Sequence, residues 1–253
     1  MRTARTVIVG DVHGCRPELE GLLERIRFGS GDRLVFVGDL IARGPDSLGV
    51  LDVARRTGAI IVRGNHEQKL LDWRRAQRTG EELALGRTHM EVARAMRDVD
   101  WTLLETSPLW FDLPEHGGRV VHAGVLPGLP MEEQNPHTLM HIRTCGVHGD
   151  VGPRGASRGA GDKKRARTHS IPWASLYSGA PQLVFGHNAV AGLQIHPWAT
   201  GLDTGCVYGG RLTAMVLHEG ERIPRSMTKR REVLVSQAAR RVYFEAAKKW
   251  RAA

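Results

Sequence analysis

Apolar residues in the first third of the chain fall into short runs separated by longer amphipathic stretches. Thr6-Val-Ile-Val9, Leu34-Val-Phe-Val37 and Ala59-Ile-Ile-Val62 are each a few strand-forming residues long. Between them, Pro17 to Ile26 sets Leu19, Leu22, Leu23 and Ile26 on one helical face, and Asp46 to Arg56 has the length of a second helix. Strands alternating with helices predict a parallel βαβαβ sheet. Ligands of such sheets gather beyond the carboxyl ends of the strands, so the loops that follow these three runs converge on one edge.

Further along, Gln68 onward continues as a helix until Gly80 breaks it. Helical spacing returns from Thr88 to Arg97 and at Trp101-Thr-Leu-Leu, which together predict a helical insert near 68–104. Pro108 to Pro114, a Glu-His-Gly-Gly turn and Arg119-Val-Val-His122 read as a β-hairpin. Pro136 to Arg143 reads as a short helix with proline in its first turn. Strand signals follow at Gln182-Leu-Val-Phe185, around Leu193 to Trp198 and at Arg211 to Leu217. The run from Lys229 to Trp250, with Leu234, Ala238 and Val242 on one side, predicts a single helix. The expected organisation is a catalytic domain over 1–222 and a basic, helical C-terminal arm over 223–253, with a mobile, glycine-rich basic loop near 149–169.

The three converging loops read Gly10-Asp11-Val12-His13-Gly14, Gly38-Asp39-Leu40 and Gly64-Asn65-His66-Glu67. Any one Gly-Asp or Gly-Asn pair is an ordinary turn, but three in phase after three strands bring carboxylates, imidazole and amide together. That hard mixture of oxygen and nitrogen suits Mn, Fe or Zn. His122 and His187 repeat the arrangement, each closing a strand at the start of a loop. His89, His116, His137, His141, His148, His169, His196 and His218 lack that context and read as ordinary core or surface residues.

Composition adds a preference for anionic partners. The net charge is +9 and the pI about 10.1, with basic residues concentrated in 154–167 and 229–251. Phosphate esters, nucleotides and nucleic acid all fit such a balance, and the basic loop and tail are candidates for polyanion contact. No run of eighteen apolar residues is present, so no membrane-spanning helix is expected. Met1-Arg-Thr-Ala-Arg leads directly into the first strand without a secretory signal. Three cysteines, Cys15, Cys145 and Cys206, lack Cys-x-x-Cys spacing, and a reducing cytoplasm fits best.

Five blocks in order, Gly10-Asp-Val-His-Gly, Gly38-Asp-x-x-x-Arg-Gly44, Gly64-Asn-His-Glu, His122-Ala-Gly and Gly186-His187, resemble the signature of the calcineurin-like metallophosphoesterases. The match is most similar to the phosphoprotein-phosphatase branch and, within it, to the ApaH-like symmetrical diadenosine tetraphosphatases. The resemblance implies an α/β (α+β) fold, a two-sheet β-sandwich flanked by helices, with two divalent metal ions at its carboxyl edge. Manganese is the expected metal, with iron or zinc compatible with the same ligands. By that resemblance Asp11 and His13 bind the first metal, Asp39 bridges both, and Asn65, His122 and His187 complete the second. Two metals roughly 3.5–4 Å apart neutralise phosphate charge and lower the pKa of a water between them. The resemblance casts His66 as the general acid and Arg43 as a phosphate clamp whose planar fork holds two oxygens. Arg143, in His141-Ile-Arg143, matches a second clamp on a shorter motif.

One position departs from the protein phosphatases. They carry an aspartate that orients the catalytic histidine where this chain has Ala42, as the ApaH-like enzymes do, and this shifts the expectation away from protein substrates. Leu202-Asp-Thr-Gly-Cys-Val-Tyr-Gly-Gly-Arg-Leu-Thr also resembles the ApaH-like carboxyl-terminal block, and Asp203 in it reads as a turn or supporting residue. The same block and Cys15-Arg-Pro-Glu-Leu-Glu resemble the phosphatase domain of bacterial RNA-repair enzymes. The expected activity is hydrolysis of a dinucleoside polyphosphate, symmetrically to two nucleoside diphosphates. A serine/threonine protein phosphatase, an RNA-end phosphomonoesterase and a non-catalytic nucleic-acid-binding scaffold are the alternatives.

Overall fold

The alternation at the start of the chain folds as its periodicity demands. The computed structural model describes residues 4–146 and 170–245. β1 (Arg5–Val9), α1 (Arg16–Arg25), β2 (Arg33–Phe36), α2 (Ser47–Arg56) and β3 (Ile60–Ile61) form two consecutive crossovers, with β1, β2 and β3 parallel. Asp46 caps α2 by accepting the Gly49 N–H at 2.7 Å. Then come α3 (Asn65–Thr79), α4 (Arg87–Ala95) and α5 (Asp98–Glu105). α3 stops at Gly80, whose φ of 76° is the left-handed geometry that ends a helix. β4 (Trp110–Leu113) and β5 (Gly118–Val121) form the expected hairpin around a 3₁₀ turn, with Trp110 opposite Val121. The remaining elements are α6 (Pro136–His141), β6 (Thr144–Gly146), β7 (Ser170–Pro172), α7 (Trp173–Leu176), β8 (Gln182–Phe185), β9 (Gln194–Ile195), β10 (Ala199–Gly201), β11 (Arg211–His218), α8 (Met227–Glu232) and β12 (Leu234–Ala238). No helix among the described residues is long and apolar enough to cross a membrane.

The strands assemble into two five-stranded sheets, ordered β12-β11-β1-β2-β3 and β4-β5-β8-β10-β9, with β6 and β7 pairing separately. Strand alternation sorts the core into layers. Val7 and Val9 of β1 face outward onto Leu19 and Leu22 of α1 and Leu51 of α2, whereas Ile8 points inward with Val35, Val120, Val184 and Met215 from both sheets. Trp173, Ala174 and Leu139 cover the outer face of the second sheet over Val121, Leu183 and Phe185. The result is helix, sheet, sheet, helix, the sandwich that the family resemblance implied.

The C-terminal segment corrects one expectation. No single helix runs from Lys229 towards Trp250: among the described residues helix covers only Met227–Glu232, and Leu234–Ala238 is an antiparallel edge strand on β11. Leu234, Ala238 and Val242 are spaced by four, which suits one face of a helix but, being even, suits one face of a strand equally well. The open edge of β11 offers a ladder of backbone partners, and that decides it. The basic loop expected near 149–169 and the last residues of the expected arm, 246–253, lie outside the described residues.

Arg230 fastens this segment to the domain. Its side chain is fully buried, with Nε donating to Pro224 O at 2.8 Å, Nη1 to His196 O at 2.7 Å and Thr200 Oγ1 at 3.1 Å, and Nη2 to Pro197 O and Arg225 O, both at 3.1 Å. Arg230→Ala strands several carbonyls at once and is expected to lower unfolding stability by about 3 kcal/mol or more. Chemical denaturation measures this, and a loss below about 1 kcal/mol would show that the carbonyls find other partners.

Candidate functional site

The loops after β1, β2, β3, β5 and β8 meet at one edge of the sandwich, and they do so in strained conformations. His13, Asp39, Ala42, Arg43 and His187 all have positive φ, between 48° and 69°, in a backbone region that side chains with a Cβ rarely occupy. Glycine is required where these loops touch. A Cβ on Gly38 would come within 2.7 Å of His122 Nδ1 and 2.8 Å of Gly64 N, and one on Gly186 would collide with the Asp11 carboxylate.

Glu67 ties two of the loops together. Its fully buried carboxylate accepts the N–H groups of Asp39 (2.8 Å), Leu40 (2.9 Å) and Gly64 (2.9 Å), so the β2 loop and the start of α3 share one anchor. The Gly64 contact is the reciprocal half of a capping box, with glutamate three residues into the helix. That spacing was visible in Gly64-Asn-His-Glu, yet sequence reasoning gave Glu67 no role.

Asp39 occupies the middle of the site. One carboxylate oxygen, Oδ1, accepts the His66 N–H at 3.0 Å and lies 3.5 Å from His122 Nε2, while Oδ2 lies 3.6 Å from His13 Nε2 and 4.0 Å from His66 Nε2. Donor atoms of His13, Asp39 and His66 all lie within 4.8 Å of one another, as do those of Asp39, His122 and His187, so Asp39 belongs to both groups. Asn65 Oδ1 sits between His122 Nε2 (3.1 Å) and His187 Nδ1 (2.8 Å). Asp11 lies beside them and accepts the His187 N–H through both oxygens, at 3.1 and 3.0 Å.

These residues suit a divalent metal pair on their own chemistry. His13 Nδ1 hydrogen-bonds Ile41 O at 3.1 Å and His122 Nδ1 hydrogen-bonds Val37 O at 2.9 Å. Each ring must donate through Nδ1; the Nε2 lone pair of His122 then faces Asp39 Oδ1 with no donor between them, while that of His13 accepts from Arg43 Nη1. Lone pairs facing a carboxylate repel unless a cation lies between them. Burial raises the pKa of Asp11, with the Asp203 and Asp39 charges adding to it, and raises Asp39 to about 7 and Asp203 to about 6. Burial, reinforced by Asp39, lifts Glu67 to about 7. The histidines shift the other way: burial holds His13, His66 and His187 well below the usual imidazole value and His122 at about 4. Buried carboxylates and neutral imidazoles in this arrangement are a receptor for positive charge.

The two arginines stand at the rim. Arg43 Nη1 donates to His13 Nε2 at 2.7 Å, and Arg143 Nη2 donates to His187 O at 3.3 Å. All nine residues singled out from the sequence are therefore brought to one edge. Three more join them, Asp203 as the turn or supporting residue that was expected and two that escaped the sequence reading. Asp203, buried and accepting the Gly205 N–H at 3.1 Å, makes the expected turn and also adds a carboxylate beside Asp11 and Asp39. Glu67 is the second. His89, from α4, is the third: its ring stacks on His66 with centroids 4.7 Å apart and 23° between planes. His66 Nδ1 is buried with no hydrogen-bond partner, so where Ala42 offers no carboxylate, the His89 face on one side and the His13 edge at 4.6 Å on the other hold the ring. A lone histidine on a distant helix carries no sequence signal for such a contact.

Comparison with known proteins agrees with this geometry. Residues 4–191 match the calcineurin-like phosphoesterase family model. A relative from Halalkalibacterium halodurans, named bis(5'-nucleosyl)-tetraphosphatase PrpE [asymmetrical], is 31% identical over 238 residues, covering 85% of this chain and 90% of that protein. A crystal structure described as a "putative diadenosine tetraphosphatase" superposes with a TM-score of 0.74 at 31% identity, covering 94% of this chain and 99% of the other. A serine/threonine phosphatase from Saccharomyces cerevisiae shares the fold alone, with a TM-score of 0.52 at 15% identity over 98% of this chain and 82% of that one. The chain belongs to the calcineurin-like phosphoesterases, a family of metal-dependent hydrolases.

Proposed function

We propose that this enzyme hydrolyses dinucleoside polyphosphates at a pair of divalent metal ions held by Asp11, His13, Asp39, Asn65, His122 and His187. The observation that carries the reading is Asp39, whose two oxygens are shared by two ligand groups. Manganese, iron and zinc all suit this donor set, with manganese the first choice. When bound, such a pair supplies Lewis acidity and an acidified water.

The chain's own groups do the rest. Arg43, reaching over His13, and Arg143, at the His187 loop, hold phosphate oxygens in place of the contacts that they make in the free protein. His66 donates a proton to the leaving oxygen. Burial and neighbouring positive groups keep it neutral in the free protein, and an incoming polyphosphate reverses that balance by favouring the imidazolium. Glu67 and His89 act as positioning residues, the first for the Asp39 and Asn65 loops and the second for the His66 ring. The unpartnered His66 Nδ1, in a chain with Ala42 where the protein phosphatases carry an aspartate, supports a substrate other than phosphoprotein. The three cysteines are buried and free, which supports a reducing cytoplasm.

The resemblance to ApaH-like enzymes implied symmetrical cleavage, whereas the relative from Halalkalibacterium halodurans is named for asymmetrical cleavage. At 31% identity along most of both chains, the asymmetrical pattern is the better supported for this enzyme. Incubation of the purified, manganese-loaded protein with diadenosine tetraphosphate, a phosphopeptide, a 3′- or 5′-phosphorylated RNA and an aryl phosphate tests the reading. Preferred turnover of the dinucleotide, giving AMP and ATP, is the expected result. Two ADP would restore symmetrical cleavage, and preference for phosphopeptide or RNA would overturn the substrate class.

A further inference from the structure

The C-terminal segment does more than close a sheet edge. After β12 the chain turns back over the active-site side of the first sheet and is fastened at several points. The Ala239 N–H donates to Gly210 O at 2.9 Å, and the Arg240 N–H and the Tyr243 hydroxyl both donate to Glu18 Oε1, at 2.9 and 2.8 Å. The N–H groups of Tyr243 and Phe244 both reach Val207 O at 3.0 Å. Gly209, with φ at 88°, leaves room for Val242, since a Cβ there would come within 2.8 Å of Val242 Cγ2. Glu18 is fully buried, so the segment is tied to the interior of the domain.

This fastening brings Phe244 beside Tyr208, their ring centroids 6.3 Å apart at 68°. The Arg43 guanidinium lies 5.7 Å from the Tyr208 centroid and 5.9 Å from that of Phe244. Arg43 thus has the metal-ligand cluster at one end, through His13, and an aromatic pair at the other. Phe244 nevertheless remains 37% exposed. A large, partly open ring, fixed by backbone bonds next to a phosphate clamp, fits a ligand whose phosphates continue into a flat aromatic group.

Resting on the dinucleoside polyphosphate reading, we propose that Phe244, flanked by Tyr208, is the platform on which one nucleobase of the substrate stacks. Aromatic rings accept any base in this way, because every base has a π face. Arg43, which touches both His13 and the Phe244 ring, then lies between the base and the His13 and Asp39 cluster.

Calorimetric binding of ADP and of inorganic pyrophosphate to the manganese-loaded protein tests the platform without turnover, since these ligands differ only by the nucleoside. Phe244→Ala is expected to weaken ADP binding roughly tenfold, the scale of one base stack, while the pyrophosphate Kd changes less than about twofold. Phe244→Trp, with a larger ring, should bind ADP at least as well as the native chain. Unchanged ADP affinity in Phe244→Ala would overturn the platform, and so would equal weakening of both ligands, which would make Phe244 a prop for Arg43. A native chain that binds ADP yet fails to hydrolyse diadenosine tetraphosphate would sink the functional reading and leave the platform standing.

Discussion

Asp39→Asn is expected to reduce kcat/KM at least a thousandfold, to about the level of the assay background, while the protein keeps its native circular dichroism. Asparagine keeps the shape but replaces one oxygen with an amide nitrogen and removes the charge. Asp39 belongs to both ligand groups, so one of them would lose its carboxylate oxygen towards the proposed metal pair. The fold has no reason to suffer. Without metal, the native carboxylate is buried at a pKa of about 7, far above its unfolded value. A raised folded pKa contributes stability that is present at low pH and lost as pH rises through about 7. Glu67 behaves in the same way. The buried histidines, with depressed folded values, weaken the fold only below the unfolded imidazole pKa of about 6.5, so they are silent above it. Metal-free native protein should therefore lose melting temperature between about pH 6.5 and pH 8, and metal-free Asp39→Asn should lose less. Near-native turnover in Asp39→Asn would rule out the bridged pair.

His66→Asn carries the second large effect, and its signature is selectivity among leaving groups. Proton delivery typically contributes about a hundredfold to ten-thousandfold, and it matters only where the departing oxygen is basic enough to need a proton. The variant should lose that factor on an alkyl phosphate and less than about tenfold on an activated aryl phosphate. Equal losses on both would mean that His66, whose Nε2 lies 4.0 Å from Asp39 Oδ2, positions phosphate or binds metal and does not donate a proton. His89→Phe, which keeps a ring face against His66, should retain more activity than His89→Ala.

The parallel core of the first sheet was legible because β1, β2 and β3 alternate with two well-patterned helices and each strand ends in a ligand-bearing loop. The second sheet was not legible in the same way. Its strands β8, β9 and β10 are two to four residues long and come from scattered runs, and no periodicity says that β5 and β8 should lie parallel. The family resemblance supplied the sandwich. At the site, residues placed directly after a strand were readable, since the backbone alone dictates where Asp11, Asp39 and His122 go. Residues that arrive from elsewhere were not. His89 comes from a helix in the insert, Phe244 from a strap beyond an edge strand mistaken for a helix, and Glu67, though its capping spacing was visible, also accepts the Asp39 and Leu40 N–H groups of a loop distant in sequence, which no local pattern records.

The proposed metal pair, shared through Asp39, makes a stoichiometric demand. Protein stripped with chelator, reloaded with Mn2+ and desalted is expected to retain two equivalents per chain by elemental analysis, with activity returning in step. Retention of a single equivalent at full activity, or full activity in metal-free protein, would contradict the paired site.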